Sequence, residues 1–179
     1  QPQSLVRFLA PGLEREHPDF FTAYVLNYTY GGGGFGSRLM ESLRVQKGLT
    51  YGVYTGLSYD EKYQNWGGGG QTRNESVGEF VAALKEETAL IAEQGVTAEE
   101  LADAKAYLTG SYPLAFDSNA KIAGQMMGVR QDDLGVDYFD RRNALIEAVA
   151  LEDVNRVAAE YLQPDRLSFI VVGQPEGLE

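Results

Sequence analysis

The sequence predicts an α+β fold in which several helices pack on a mostly antiparallel sheet. Three observations lead to it: β-favouring segments lie near both ends of the chain, a pair of alternating segments around residue 60 is typical of a hairpin, and helical periodicity fills most of the rest. The chain has 179 residues and contains no linker-like segment. Folding a chain of this length buries roughly 70% of its unfolded surface, so we expect one domain spanning residues 1–179.

The first half begins with a short β-favouring strand over residues 4–10. A helix is expected to open at His17–Pro18, because proline in the first turn of a helix loses no hydrogen bond, and to stop at Gly31–Gly34. Ser37 is expected to cap a second helix, which Gly48 should close in the left-handed conformation.

A hairpin is predicted next, from alternating segments over residues 51–59 and 64–73 that meet across Asp60–Lys62. The second half is mostly helical, and the tetrapeptide Thr97–Glu100 matches a capping box at the start of one helix. The predicted helices cover residues 77–93, 97–108, 119–129, 138–149 and 152–162, and a final strand covers residues 167–172.

Charge and composition exclude several functions. The net charge is −11 and the pI about 4.6, so the long-range field should repel nucleic acid and anionic lipid and attract basic peptides. No run of about 18 apolar residues occurs, and no membrane insertion is expected. Because the chain has no cysteine and one histidine, His17, it cannot assemble the usual zinc site, and we assign it no metal ligand.

Two glycine runs interrupt the chain. Gly31, Gly33 and Gly36 have the spacing of a dinucleotide-binding loop, but that loop must follow a strand and this one follows a helix. Nucleotide binding is therefore disfavoured, and the residues alone favour a flexible or tightly turning connection between two helices. Gly67–Gly70 should lie in a strand where another backbone or a helix packs close, or in a bulge.

Arg44 and Tyr51 lie on opposite sides of Gly48, where the chain reverses. A cation and a phenol could then converge on one point and donate hydrogen bonds to a carbonyl oxygen that gains negative charge as a peptide bond is attacked. The residues alone favour a simpler interpretation, in which Arg44 is a surface ion-pair partner, for example of Glu41, and Tyr51 is an aromatic residue at the edge of the sheet.

A longer pattern over residues 24–59 contains both of these residues. It closely resembles the second-domain signature of the pitrilysin/insulinase family of zinc metallopeptidases, which includes mitochondrial processing peptidase and insulin-degrading enzyme. Weaker similarity continues from Gly95 to Gly173, so the resemblance to this C-terminal, zinc-less domain spans nearly the whole chain. The matching positions are Asn27, the first glycine run, Ser37–Leu39, Leu43–Arg44, Lys47–Leu49 and Tyr51–Val53.

The resemblance implies a division of labour. Members of this family consist of two homologous halves, on one chain or two, that close around an unfolded peptide. One half carries the zinc, and the other supplies an arginine and a tyrosine, seven positions apart, that reach the substrate near the metal. Arg44 and Tyr51 match this pair in type, spacing and flanking residues.

The resemblance also assigns partners. Gly31, Gly32, Gly33, Gly34 and Gly36 resemble a glycine-rich loop that handles substrate in processing peptidases. Zinc is expected in a homologous partner domain or subunit, the substrate is an unfolded peptide, and this chain is not expected to hydrolyse anything alone. The alternative is a structural or assembly subunit that keeps the fold without protease activity. Family analogy points to the bacterial periplasm.

Overall fold

An antiparallel sheet forms one layer of the computed structural model, which describes residues 2–60 and 62–178. In the described residues the strand order is β2-β3-β1-β4, so the N-terminal strand lies inside the sheet and the C-terminal strand at one edge. Glu61, in the predicted hairpin turn, lies outside the described residues. The strands are β1 (Gln3–Pro11), β2 (Val53–Asp60), β3 (Tyr63–Arg73) and β4 (Ser168–Val172).

Helices cover one face of this sheet, which confirms the predicted α+β fold. The regular helices are α1 (Phe20–Asn27), α2 (Val77–Gln94), α3 (Ala98–Gly110), α4 (Asn119–Gln131), α5 (Tyr138–Glu147) and α6 (Leu151–Tyr161). Two segments are π-helical, Tyr28–Gly32 and Met40–Gln46. Short 3-10 turns occur at Gly34–Gly36, Asn74–Ser76, Tyr112–Phe116 and Pro164–Arg166.

Most element boundaries agree with the local sequence signals. Gly95 ends α2 with φ of 70°, and Thr97 and Glu100 form the predicted capping box at the start of α3. The predicted start of α1 was too early: Pro18 precedes the N-cap residue Asp19, because the Asp19 N–H donates to Nδ1 of His17 at 3.1 Å and holds this stretch in a turn.

The core fills the space between the sheet and the helices. Side chains that alternate along β1, such as Val6 and Phe8, belong to one buried cluster with Phe80 of α2 and Trp66 of β3. The opposite face of β1 carries Leu5, Arg7 and Leu9 and is not covered to the same extent. Among the described residues, no helix is long and apolar enough to cross a bilayer.

The glycine block of β3 lets flanking groups approach the strand from both faces. A Cβ atom at Gly68 would lie 2.0 Å from the carbonyl oxygen of Tyr54, and one at Gly70 would lie 2.7 Å from that of Gly52. On the opposite face, Arg7 reaches over Gly69 and donates a hydrogen bond to the Tyr54 hydroxyl. The predicted close approach of another backbone at Gly67–Gly70 is confirmed.

Replacing Gly68 by alanine should destabilise the fold. The methyl group would overlap a backbone carbonyl in the middle of the sheet, which cannot move without breaking strand pairing. We expect Gly68→Ala to lower the free energy of unfolding by about 2–3 kcal/mol in urea titrations. The control is Gly128→Ala, on exposed helix α4 with open space at its Cβ, which should raise stability by roughly 0.5–1 kcal/mol. Wild-type stability of Gly68→Ala would contradict this packing.

Candidate functional site

The glycine-rich loop joins the two π-helical segments. Gly31 is buried, and a Cβ atom there would lie 2.5 Å from Oγ1 of Thr55. A Cβ atom at Gly33 would lie 2.6 Å from the Tyr28 carbonyl oxygen, and Gly34 has φ of 61°, where L side chains are strained. The first part of the loop is therefore closely packed, whereas Gly34 and Gly36 have no neighbouring atom at the Cβ position and lie at the surface.

Asn27, the last residue of α1, fixes the start of this loop. Its Oδ1 accepts hydrogen bonds from Oγ1 of Thr55 and from the indole N–H of Trp66, both at 2.8 Å. The same amide leaves no room for a side chain at Gly32, whose Cβ atom would lie 2.4 Å from Nδ2. The position of the loop is thereby linked to the β2–β3 hairpin.

A second buried hydrogen bond holds the π-helical turn after α1 against α2. Thr88 donates to the Leu84 carbonyl oxygen at 2.7 Å, so the Tyr30 hydroxyl must donate to Oγ1 of Thr88, at 2.6 Å. Burial raises the pKa of Tyr30 well above its ordinary value of 10.0, which keeps this phenol protonated and able to donate.

Arg44 lies in the second π-helical segment, close to its end. Gly48 has φ of 62°, and the chain turns there as the sequence predicts. The Gly48 N–H donates to the Arg44 carbonyl oxygen at 3.2 Å, and the Leu49 N–H donates to that of Leu43 at 2.8 Å. Leu43 and Leu49 are buried, so this helix end is anchored in the core while Arg44 stays partly exposed.

Tyr51 stands at the surface just before β2. The residue is 84% exposed and lies two positions before β2, which begins at Val53, so the predicted start of the strand is wrong by two residues. The preceding residue is fixed: the Thr50 hydroxyl donates to the Gln71 carbonyl oxygen at 2.7 Å and accepts the Gly52 N–H at 3.1 Å. A constrained backbone therefore presents a freely accessible phenol.

Arg44 and Tyr51 line one shallow concavity of about 470 Å³. The rest of its wall is formed by Gln3, by residues 48–50 at the turn and by residues 71–73 of β3. The suggested ion pair between Arg44 and Glu41 does not form, since Glu41 accepts a hydrogen bond from Gln46 instead. Among the described residues, Arg44 has no carboxylate partner, and its donors remain available.

Phe35 is a neighbour that sequence reasoning missed. The Cζ atom of Arg44 lies 4.4 Å from the centroid of the Phe35 ring, a cation–π distance, although this ring is 69% exposed. Phe35 is the one large side chain within the glycine run, and a large apolar residue flanked by glycines was the signal available. The contact links the tip of the glycine-rich loop to the Arg44–Tyr51 concavity.

Arg38 ties the helix after the loop to the start of α3. Its guanidinium donates two hydrogen bonds to the Glu100 carboxylate, both at 2.7 Å, and Glu100 also accepts the Thr97 N–H of the capping box. The Arg38 hydrogen bond holds the pKa of Glu100 below its ordinary value of 4.5. Ser37 precedes this helix as predicted, but its hydroxyl donates to the Gly34 carbonyl oxygen instead of capping.

The described residues do not suit a zinc ion. They contain no group of three or more His, Cys, Asp or Glu side chains that could hold a metal. The single histidine, His17, uses Nδ1 to accept the Asp19 N–H.

Comparison with known proteins identifies the class. Residues 1–108 match the family model described as the peptidase M16 inactive domain. In structure, the chain aligns over its whole length with a peptidase M16 inactive domain from Pseudomonas fluorescens, at a TM-score of 0.85 and 30% sequence identity, covering 43% of that chain. The chain belongs to the peptidase M16 inactive-domain family, which confirms the resemblance to pitrilysin/insulinase metallopeptidases.

Two curated relatives are similar over most of this chain. A Helicobacter pylori protein named non-peptidase homolog YmxG is 31% identical over 95% of the chain, and a Bacillus subtilis protein named uncharacterized zinc protease YmxG is 32% identical over 86%. The chain spans only 39% and 37% of these two relatives.

The Arg38–Glu100 pair predicts a specific pH dependence. Because the folded-state pKa of Glu100 lies below the unfolded one, its stabilisation is present above the ordinary value of 4.5 and is lost as pH falls through the folded-state pKa. We expect Glu100→Gln, which keeps a capping-box acceptor, to lower the melting temperature by roughly 2–4 °C near pH 7.

The difference from wild type should shrink as the pH falls below 4.5 and through the folded-state pKa of Glu100. Glu99→Gln, in the same first turn but without an arginine partner among the described residues, should change the melting temperature less at every pH. A Glu100→Gln difference that does not change between pH 7 and pH 3 would contradict the ion pair.

Proposed function

We propose that this chain is a non-catalytic domain of a zinc metalloendopeptidase, which helps to enclose and orient an unfolded peptide. The zinc belongs to a homologous partner domain or subunit, and Arg44 and Tyr51 contact the scissile carbonyl there. The observation that supports this most is the shared concavity, which Arg44 and Tyr51 both line and which has no carboxylate among its described lining residues.

The chemistry of the pair suits this role. An arginine is always charged near neutral pH and a phenol donates one hydrogen bond, so both can stabilise negative charge that develops on a carbonyl oxygen. Preorganised donors cost little reorganisation, and the turn at Gly48 and the hydrogen bonds of Thr50 hold the backbone between these two residues. Tyr51 is exposed enough to reach a group carried by a second domain.

The glycine-rich loop supports the substrate-handling part of the proposal. Gly34, Phe35 and Gly36 form its exposed tip, and Phe35 contacts Arg44. An extended peptide crossing the concavity would meet this aromatic ring beside the Arg44 guanidinium. The closely packed side of the loop, at Gly31 to Gly33, would keep the tip in place as peptide binds.

A structural role is the second candidate. One relative bears the name non-peptidase homolog, and the fold also occurs in a chain of complex III from Candida albicans, at a TM-score of 0.81 and 13% identity. In this alternative the chain would stabilise an assembly, and Arg44 and Tyr51 would have no effect on turnover.

Reconstitution with the zinc-bearing partner tests the proposal. We expect Arg44→Ala and Tyr51→Phe each to lower kcat for an unstructured fluorogenic peptide by roughly 10²-fold, because each removes one donor to the transition state. Zinc content and assembly with the partner, measured by metal analysis and size-exclusion chromatography, should be unchanged.

Matched controls are Arg130→Ala, on the exposed surface of α4, and Tyr63→Phe, at the start of β3. Both should keep kcat within about twofold of wild type. Wild-type turnover from Arg44→Ala and Tyr51→Phe would overturn the assigned contacts, and loss of assembly without an effect on kcat would favour the structural alternative.

A further inference from the structure

An aromatic cavity of about 790 Å³ lies between α1, β2, α3 and α5, away from the residues that line the Arg44–Tyr51 concavity. Its walls include the rings of Tyr24, Tyr112 and Tyr138 and the backbone of Gly32–Gly34. This volume is within the range of small-molecule and peptide side-chain sites. Among the described residues that line it are two arginines, Arg15 and Arg142, and no aspartate or glutamate.

Arg142 carries a buried charge without a countercharge. The residue is only 7% exposed, and no carboxylate of the described chain pairs with it. Its Nη1 donates to the Leu108 carbonyl oxygen at 3.1 Å and to Oδ1 of Asn143 at 2.9 Å, and its Nη2 donates to the Tyr24 hydroxyl at 3.3 Å. These acceptors are all neutral, so the hydrogen bonds orient the guanidinium but leave its charge unmatched.

The structural role of Arg142 explains only part of this arrangement. A cation near the last turn of α3 is favourable, because the helix dipole is negative there, and Leu108 lies in that turn. That role needs no cavity and no second arginine. In a chain of net charge −11, a buried guanidinium without a carboxylate partner, in a cavity without an acidic lining residue among the described ones, points to an anion from outside.

Tyr112 provides a second, independent observation. Its hydroxyl oxygen is buried and has no hydrogen-bond partner in the described structure, and its ring lies 4.0 Å from Cζ of Arg142. Burial raises the pKa of this phenol, so it remains protonated. Buried hydroxyls without a partner are rare, and the ring that carries this one packs on the unmatched guanidinium.

Arg15 closes the other side of the cavity. Its guanidinium lies over several rings, with Cζ 4.1 Å from the centroid of Phe20 and 5.4 Å from that of Tyr138. It forms no direct ion pair among the described residues, but it also lines a neighbouring pocket with Glu14, Asp60 and Asp132, which offset its charge. The cavity therefore combines large apolar surfaces with one unmatched positive charge, that of Arg142.

We propose that this cavity binds a carboxylate attached to an aromatic or large apolar group of a peptide. The carboxylate would pair with Arg142 and accept the Tyr112 hydroxyl, while the apolar group packs on the surrounding rings and Arg15. The carboxylate can come from the free C-terminus of a peptide or from an acidic side chain. This inference does not depend on the proposed protease role, since it concerns binding by this chain alone.

Binding of short peptides to the full chain, measured by isothermal titration calorimetry, tests the proposal. N-acetyl-Phe-Phe with a free carboxylate should bind roughly tenfold or more tightly than its C-terminal amide. N-acetyl-Phe-Asp amide against N-acetyl-Phe-Asn amide tests the side-chain source. A preference for the acid in one pair only identifies which carboxylate the cavity accepts.

Two variants connect this preference to the cavity. Tyr112→Phe removes only the unpartnered hydroxyl and should weaken acid binding about threefold to tenfold, and Arg142→Gln should weaken it roughly tenfold to a hundredfold. Both should leave binding of the amides unchanged. The control Arg141→Gln, on the exposed side of the same helix, should bind like wild type.

The affinities of wild type and of the variants decide whether the proposal stands. Equal affinity of wild type for acid and amide in both pairs, or no binding of either acid at millimolar concentration, would overturn the proposal. If circular dichroism shows that Arg142→Gln does not fold, Tyr112→Phe decides, and wild-type affinity of that variant for the preferred acid would refute the assigned site. None of these measurements needs the zinc-bearing partner, so they are independent of the turnover experiment.

Discussion

The arrangement of this domain depends on the hydrogen bonds that the side-chain amide of Asn27 forms with the β2–β3 hairpin. The amide accepts hydrogen bonds from Thr55 of β2 and Trp66 of β3, so the end of the first helix is held against the hairpin through buried polar contacts. A buried polar group is costly without its partners, and removing the Asn27 amide would leave the Thr55 hydroxyl and the Trp66 indole N–H without their acceptor. Because Gly32 packs directly on this amide, the path of the glycine-rich loop is set from the same point.

After Asn27 the chain continues through the glycine-rich loop to the candidate site. The loop is closely packed at Gly31, exposed at Phe35, and followed by Arg38, whose ion pair with Glu100 fixes the next helix against α3. That helix carries Arg44 to the edge of the concavity where Tyr51 stands. The same loop borders the aromatic cavity with its other side, so one short segment separates two surfaces of different chemistry.

Local signals in the sequence were sufficient for much of the fold. Strand alternation, the capping box at Thr97 and the glycine at position 95 predicted elements close to those observed, because each acts within a few residues. The two π-helical segments were not predictable, because tertiary packing, and not the periodicity of the sequence, determines their hydrogen-bond register. Arg142 was missed because its environment comes from Tyr24, 118 positions away. The roles proposed for Arg44 and Tyr51 rest on family resemblance, since spacing alone also allowed a surface ion pair.

The most direct test is whether a bound peptide substrate contacts Tyr51. Tyr51 is replaced by photoreactive p-benzoylphenylalanine in the chain reconstituted with its zinc-bearing partner, and a labelled unstructured peptide is crosslinked. The control is the same replacement of Tyr63, which is also exposed. Tyr63 pairs with Asp60 at the end of β2, so it lies about 30 Å from Tyr51 along the strand direction. The account predicts crosslinking of peptide from position 51 and little from position 63. Equal yields from both positions, or none from position 51, would contradict it.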